Sequence, residues 1–185
     1  MSAINRETSA EELAALVSQA LKSAGIRATL SGGGAVTLYS DNEYESRDLD
    51  FVTNARNDAI AKALAALGFR RVAGARQFEH PETDYYVEFP PGPLGFGETS
   101  ISDDDATVLQ TRYGPLRIIT PTQSVMDRLA AYVHWNDNQS LDQAVMVARR
   151  HDIDWPALYE WAGRERIGPR LIDRLRTQTR SDRRT

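Results

Sequence analysis

The feature that most constrains the fold of this chain is a glycine-rich turn followed by two carboxylates spaced one residue apart. The turn is Leu30-Ser31-Gly32-Gly33-Gly34-Ala35, and the carboxylates lie in the segment Asp48-Leu49-Asp50-Phe51. Residues i and i+2 of a strand point to the same face, so Asp48 and Asp50 present their oxygens side by side. The apolar neighbours of both aspartates indicate a core strand with one polar face.

This pattern suits a metal and a phosphate held next to each other. Magnesium in proteins binds one or two carboxylates together with the phosphates of its substrate. Unhindered backbone N–H groups at Ser31, Gly32 and Gly33, at the start of a helix, favour an anion. We therefore expect Mg²⁺ or Mn²⁺ at the aspartates and phosphate at the glycine turn. A side chain added at Gly32 or Gly33 is expected to block nucleotide while leaving the fold largely intact.

A third carboxylate is available on the predicted strand from Asp84 to Phe89. Asp84, Tyr86 and Glu88 share one face of that strand because the side-chain period is two. Glu88 has apolar residues on both sides and is the better candidate, whereas Asp84 lies near the start of the strand. The acidic run Asp103–Asp105 lies in a Ser/Asp-rich link and is predicted to be a solvated turn.

Composition limits the classes of protein to which the chain can belong. Its 185 residues, with 41% hydrophobic and 26% charged residues, are typical of one globular domain. No apolar run is long enough to span a membrane, and without cysteine there is no disulfide framework. A cytoplasmic protein is the simplest interpretation. The segment 164–185 holds eight arginines against three acidic residues; a solvated helix face is favoured there over contact with nucleic acid or an acidic partner.

The order of predicted elements indicates an α+β (mixed α/β) fold with a helical C-terminal third. Helical and strand patterns alternate up to residue 68, and period-two segments follow up to residue 119. Thr120 and Pro121 then begin a helix that runs to about Trp135, and further helices follow. We predict an α/β core over 1–120, a helical region over 121–178 packed on that core, and a basic tail over 179–185.

These motifs resemble the nucleotidyltransferase fold of the DNA polymerase beta superfamily. The resemblance rests on Leu30–Ala35, on Ser46-Arg47-Asp48-Leu49-Asp50-Phe51 and on a later acidic strand residue, and it extends to the helix at 120–131. It is nearest to small bacterial members, including the AbiEii-like toxins. In that helix, toxin-like relatives carry a lysine that meets the nucleotide phosphates, and this chain has Arg128 at the position.

The resemblance implies a Mg²⁺-dependent enzyme that moves a nucleoside monophosphate from a nucleoside triphosphate to an acceptor. Asp48, Asp50 and Glu88 would be its catalytic and metal-binding residues, and Ser31, Gly32, Gly33 and Arg128 would bind the nucleotide. The acceptor could be RNA, a protein or a small molecule, and a toxin would have an antitoxin partner. Because relatives often have aspartate at the Glu88 position and lysine at the Arg128 position, a second reading remains open: a nucleotide-binding or protein-interaction module without turnover.

The end of the helix that follows Thr120 carries His134-Trp135-Asn136-Asp137. Trp135 is predicted to lie in the core, and His134 with Asn136 and Asp137 is predicted to terminate the helix. The alternative is a functional pair in which His134 positions an acceptor or acts as an acid or base, while Trp135 stacks on a base.

Overall fold

The computed structural model describes residues 4–181 of the chain, which form seven α-helices and nine strands over that range. The helices are α1 (Ala10–Ser23), α2 (Gly32–Tyr39), α3 (Asn57–Ala65), α4 (Pro121–Trp135), α5 (Asn138–Arg150), α6 (Trp155–Arg164) and α7 (Pro169–Ser181). The strands are β1 (Thr29–Ser31), β2 (Asp48–Val52), β3 (Arg70–Arg71), β4 (Gln77–Glu79), β5 (Tyr86–Glu88), β6 (Gly95–Phe96), β7 (Thr99–Ser100), β8 (Thr107–Thr111) and β9 (Gly114–Ile118).

Seven of the strands form one mixed sheet in the order β3-β4-β5-β2-β1-β9-β8. The pairs β2–β5 and β1–β9 are parallel, and the other neighbours are antiparallel. β1 and β2 therefore lie at the centre of the sheet, flanked by β5 and β9. The mixed α+β class expected from the sequence is confirmed.

The helices cover this sheet through apolar faces that the sequence pattern predicts. In α1 the Ser9 hydroxyl accepts a hydrogen bond from the Glu12 N–H at 3.2 Å, and Leu13, Val17 and Leu21 are fully buried. α1 packs on β9, while α4 and α5 pack on each other and on α2. α6 contacts α4 and α7, and α7 contacts α5, so α4 and α5 connect the last two helices to α2.

The start of α4 follows the predicted signals closely. The Thr120 hydroxyl accepts from the Gln123 N–H at 3.2 Å, and the Gln123 side chain accepts from the Thr120 N–H at 2.8 Å. This reciprocal capping box, with Pro121 in the first turn, fixes where the helix begins. At the other end Asn136 has φ 54°, a left-handed conformation that stops the helix, as predicted.

Several expectations differ from the structure. Helix α2 begins at Gly32, so the glycines form its first turn instead of a turn that precedes it. The two-residue strands of the β6–β7 hairpin were not predicted, because segments this short show no periodicity. Trp135 is 82% exposed, so its predicted place in the core is wrong: it lies on the last turn of α4, and the elements formed by residues 4–181 leave most of its side chain uncovered. Of the predicted basic tail, 179–181 continue α7, and 182–185 lie outside the described residues.

None of the helices found among residues 4–181 combines the length and apolar character that crossing a bilayer requires.

Candidate functional site

Three of the predicted carboxylates lie on one face at the centre of the sheet. In the parallel pair β2–β5, Asp50 is the register partner of Glu88 and Asp48 is the partner of Tyr86. Register partners in a ladder point to the same face, as do residues two apart in one strand. All four side chains are partly buried, while the alternate residues Leu49 and Val87 are fully buried. The strand pairing thus creates an acidic face backed by the hydrophobic core.

Asp50 is the most perturbed acid of this face. Burial, followed by the negative charges of Asp48, Glu88 and Asp127, raises the pKa of its carboxyl to about 7, while Arg128 opposes the increase. The pKa of the Tyr86 phenol is raised as well, by burial and then by Asp48, Glu88 and Asp50. The carboxylates are therefore close enough to repel one another, and a cation among them would relieve that repulsion.

The first turn of α2 lies directly against the two aspartates. Gly32 has φ 62°, and a Cβ on it would stand 2.5 Å from Asp50 Oδ2; a Cβ on Gly33 would stand 2.7 Å from Ser46 Oγ. The Ser46 hydroxyl in turn donates a hydrogen bond to Asp48 Oδ1. Ser31, the N-cap residue, makes no side-chain cap and donates to the Asp50 carbonyl oxygen at 3.4 Å. The N-terminus of α2 therefore faces the carboxylates.

This close approach bears on the expected effect of adding a side chain at Gly32 or Gly33. Ser46 is buried, its N–H donates to the Thr37 hydroxyl at 2.9 Å, and that hydroxyl donates to the Gly33 carbonyl at 3.0 Å. A side chain at Gly33 would push against this fixed network, and one at Gly32 would meet Asp50 in a left-handed backbone conformation. These contacts argue against the prediction that such substitutions leave the fold largely intact.

Arg128 reaches the acidic face from α4. Its guanidinium donates to Asp127 Oδ2 from Nη2 at 2.7 Å and from Nε at 3.2 Å, and to Gln143 Oε1 from Nη1 at 3.2 Å. Both members of the Asp127–Arg128 pair are largely buried, and Gln143 of α5 is buried. The guanidinium is thus held in one orientation beside Asp50, a geometry that suits phosphate recognition.

Sequence reasoning missed Asp127 and Gln143. The available signal for Asp127 was its position next to Arg128 on the buried side of a predicted helix, where an acid requires a partner. Gln143 left no comparable signal, because its contact with Arg128 joins two helices fifteen residues apart. Asp127 adds a fourth carboxylate whose charge acts on Asp50.

Other acidic residues considered from the sequence lie away from this face. Asp84 is exposed, precedes β5, and lines a surface depression together with Arg47 and Tyr85. Asp103–Asp105 form a single 3-10 turn in which exposed Asp104 pairs with Arg27 at 3.0 Å. The structure therefore brings Glu88, and not Asp84, next to Asp50.

The donor set fits a hard divalent cation. Carboxylate oxygens are the ligands that Mg²⁺ and Mn²⁺ prefer, and Mg²⁺ commonly takes one or two of them, with substrate phosphates completing its sphere. Among residues 4–181 no three His, Cys, Asp or Glu side chains are arranged so that they alone could hold an ion. Asp48 and Asp50 meet the smaller requirement, and the joint binding of an ion by Asp48, Asp50 and Glu88 stays a prediction.

Comparison with solved structures identifies the fold. The chain is similar to an antigenic nucleotidyltransferase-like protein from Paracoccidioides brasiliensis, with 16% identity, TM-score 0.56, and 78% of this chain and 76% of the other covered. It is also similar to a lincosamide antibiotic adenylyltransferase, LnuA, solved with lincomycin bound, with 15% identity, TM-score 0.51, and 78% and 99% covered. No protein-family model and no curated protein sequence matches the chain. The chain therefore has the nucleotidyltransferase fold.

Proposed function

We propose that the protein is a nucleotidyltransferase that transfers a nucleoside monophosphate from a nucleoside triphosphate to an acceptor hydroxyl. The observation that carries this proposal is Asp50, a partly buried carboxyl whose pKa is raised to about 7 between Asp48 and Glu88 and against the N-terminus of α2. A purely structural strand would have no need to keep these acids together at the cost of their mutual repulsion.

Each residue of the site has a proposed part in the reaction. Asp48 and Asp50 would hold Mg²⁺ or Mn²⁺. The bound ion would neutralise the negative charge of the triphosphate and the charge that develops during the transfer. The backbone N–H groups after Ser31, at Gly32 and Gly33, would bind phosphate oxygens. Arg128, oriented by Asp127 and Gln143, would bind the phosphates bidentately, which a lysine cannot do in the same geometry.

The bonds made and broken follow from this arrangement. The acceptor oxygen forms a bond to the α-phosphorus while the bond from that phosphorus to the bridging oxygen breaks, and pyrophosphate leaves with the bonding electrons. The proton of the acceptor hydroxyl would pass to a carboxylate, and Glu88 is the candidate because it is the register partner of Asp50. Glu88 has a second possible role, as a further ligand of the cation.

The acceptor class divides the proposal into two forms. In the AbiEii-like form the protein is a toxin that modifies RNA or a protein and has an antitoxin partner. In the other form it modifies a small molecule, as the name of the lincosamide adenylyltransferase states for that protein. Both forms use the same carboxylates and differ in the acceptor that binds beside them.

Label transfer tests the activity itself. The protein is incubated with Mg²⁺ and each nucleoside triphosphate, labelled on the α- or the γ-phosphate, together with RNA, protein and small-molecule fractions of a cell extract. Label from the α-position is expected in one fraction, and label from the γ-position is expected in pyrophosphate. Asp50→Asn should abolish the transfer, whereas Asp84→Asn, which changes an exposed acid outside the site, should not.

A module that binds nucleotide without turnover gives a different result. It would show a Mg²⁺-dependent change in melting temperature with a triphosphate, and no label in any fraction. That outcome would contradict the proposed transfer.

A further inference from the structure

A groove of about 620 Å³ lies between α4 and the β6–β7 hairpin. Its walls combine the small residues Gly95, Gly97, Ala130 and Ala131 with the charged Arg128 and the aromatic Trp135. The volume falls in the range of pockets that hold small organic ligands. From this groove and its relation to Asp50, we infer that it binds the acceptor, and that the acceptor is a small, uncharged or cationic molecule with a flat or apolar ring face. This inference rests on the proposed transferase activity.

The groove and the proposed nucleotide site share Arg128, which lines the groove. Asp127, which accepts two hydrogen bonds from the Arg128 guanidinium, lines it as well. A molecule seated in the groove therefore has one end beside the residues proposed to hold the nucleotide. This contact is what an acceptor needs, because its hydroxyl must reach the α-phosphorus.

A buried carboxylate keeps the groove in shape. Glu165, which follows α6, has a side chain only 1% exposed; it accepts hydrogen bonds from the Thr99 hydroxyl and from the Glu98 N–H at 2.8 Å. Its Oε2 lies 3.7 Å from His134 Nε2 of α4. Trp161 of α6 also donates from Nε1 to the Phe96 carbonyl at 3.2 Å. The hairpin, α4 and α6 are thus joined, and the groove exists before any ligand enters.

Trp135 supplies a surface for a ring. It lines the outer end of the groove, and its 82% exposure leaves the indole available to a ligand. An indole face binds apolar rings, sugar faces and cations, each by stacking or cation–π attraction. The glycines and alanines of the lining have small or no side chains, which lets a ring lie close to the backbone there.

The charges select against a polyanion. Arg128 is the only lysine or arginine among the described residues that line the groove, and it is already paired with Asp127. Glu98 is exposed on the hairpin, and Asp127 adds a second carboxylate to the lining of the groove. RNA binding depends on several cations that neutralise phosphates, and a groove with this charge offers one. An uncharged or cationic acceptor needs no such set of cations, and the carboxylates of the lining do not repel it.

The test separates the acceptor groove from the transfer activity. The probes are total RNA, total protein and the low-molecular-weight fraction of a cell extract, the last divided by an anion exchanger, each with α-labelled triphosphate and Mg²⁺. Label is expected in the low-molecular-weight portion that the exchanger does not retain. Trp135→Ala should raise the acceptor KM on the order of tenfold, as for loss of one stacked ring. Val133→Ala, which shortens another exposed side chain of α4 that does not line the groove, should not.

A second variant blocks the groove itself. Ala131→Phe should lower transfer on the order of a hundredfold by displacing the acceptor, while the rise in melting temperature caused by triphosphate and Mg²⁺ stays as in the parent. Label that lands in RNA, in protein or in the retained anionic portion would overturn the inference, and so would full transfer by both Trp135→Ala and Ala131→Phe. Absence of label everywhere would overturn the inference together with the proposed activity, whereas transfer with the wrong acceptor overturns the inference alone.

Discussion

Two poorly exposed carboxylates, Asp50 in the sheet and Glu165 behind the groove, have opposite environments. Burial, together with the neighbouring charges of Asp48, Glu88 and Asp127, raises the pKa of Asp50 to about 7. Burial also acts to raise the pKa of Glu165, but hydrogen bonds from the Thr99 hydroxyl and the Glu98 and Thr99 N–H groups, with His134 nearby, hold it below its usual range. Hydrogen-bond donors favour the charged form of a buried acid, whereas neighbouring acids disfavour it unless a cation offsets their repulsion.

The largest expected effect comes from removing the charge of Asp50. Asp50→Asn should reduce nucleotidyl transfer by on the order of a thousandfold or more, because it removes a proposed cation ligand at the reacting phosphate. Steady-state label transfer measures this loss. Asp84→Asn is the matched control, since it makes the same change on an exposed acid, and activity equal to the parent in both variants would remove Asp50 from the site.

The second largest effect is expected from a substitution at Gly97, which lies against the buried carboxylate of Glu165. Gly97 has φ 68°, and a Cβ there would collide with the buried carboxylate of Glu165 and stand 3.2 Å from His134 Nε2. Gly97→Ala should therefore lower the free energy of unfolding by about 3 kcal/mol, from backbone strain and displaced hydrogen bonds. Denaturant unfolding measures the change. Gly74→Ala isolates the strain, because Gly74 has φ 77° and no neighbour within 4 Å; an equal loss in both variants would mean that Glu165 can move freely.

The pH dependence of stability distinguishes Asp50 directly. A carboxyl whose pKa is raised in the folded state binds its proton more tightly there, so folding is penalised as pH rises from near 4 to above 7. Asp50→Asn should be more stable than the parent by about 2 kcal/mol at pH 8, after allowance for partial exposure, and the difference should vanish near pH 4. Unfolding at several pH values checks this. For Glu165, with its lowered pKa, the sign is reversed and stability is lost as pH falls.

A smaller effect is expected from Arg128→Lys. Lysine keeps the charge, but it cannot reproduce the simultaneous contacts of the guanidinium with Asp127 and Gln143. Transfer should fall on the order of tenfold, mainly through a higher KM for the triphosphate. Arg56→Lys changes an exposed arginine outside the site and should have no effect. A parent-like KM in Arg128→Lys would place the phosphates elsewhere.

The acidic face could be predicted from the sequence because it depends on local rules. The strand period of two places Asp48 and Asp50 on the same face, and the apolar neighbours of Glu88 favour it over Asp84 on the next acidic strand. The glycines indicate a close approach of backbone to side chain, which the structure has at Asp50 and Ser46. The fold class followed from the order of elements. Helix α2 begins at Gly32, earlier than predicted, since glycines with no preference between turn and helix gave no boundary.

The groove could not be predicted because its parts are far apart in the chain. Glu165 contacts residues 66 and 67 positions away, and the hairpin that it holds has strands of two residues. The exposure of Trp135 likewise depends on which elements happen to cover the end of α4. Asp127 could have been predicted from the sequence, since an acid beside Arg128 on a largely buried helix needs a partner.

The measurement that tests the account most directly is the melting temperature of the parent and of Asp50→Asn with each nucleoside triphosphate, with and without Mg²⁺. A ligand at a hundred times its dissociation constant stabilises the folded state by about 2.7 kcal/mol, or several degrees at roughly 2–4 °C per kcal/mol. We expect this rise in the parent only when metal and triphosphate are both present, and we expect Asp50→Asn to lose most of it. A parent indifferent to every triphosphate with Mg²⁺ or Mn²⁺, or an equal rise in Asp50→Asn, would contradict the assignment of the acidic face as the metal–nucleotide site.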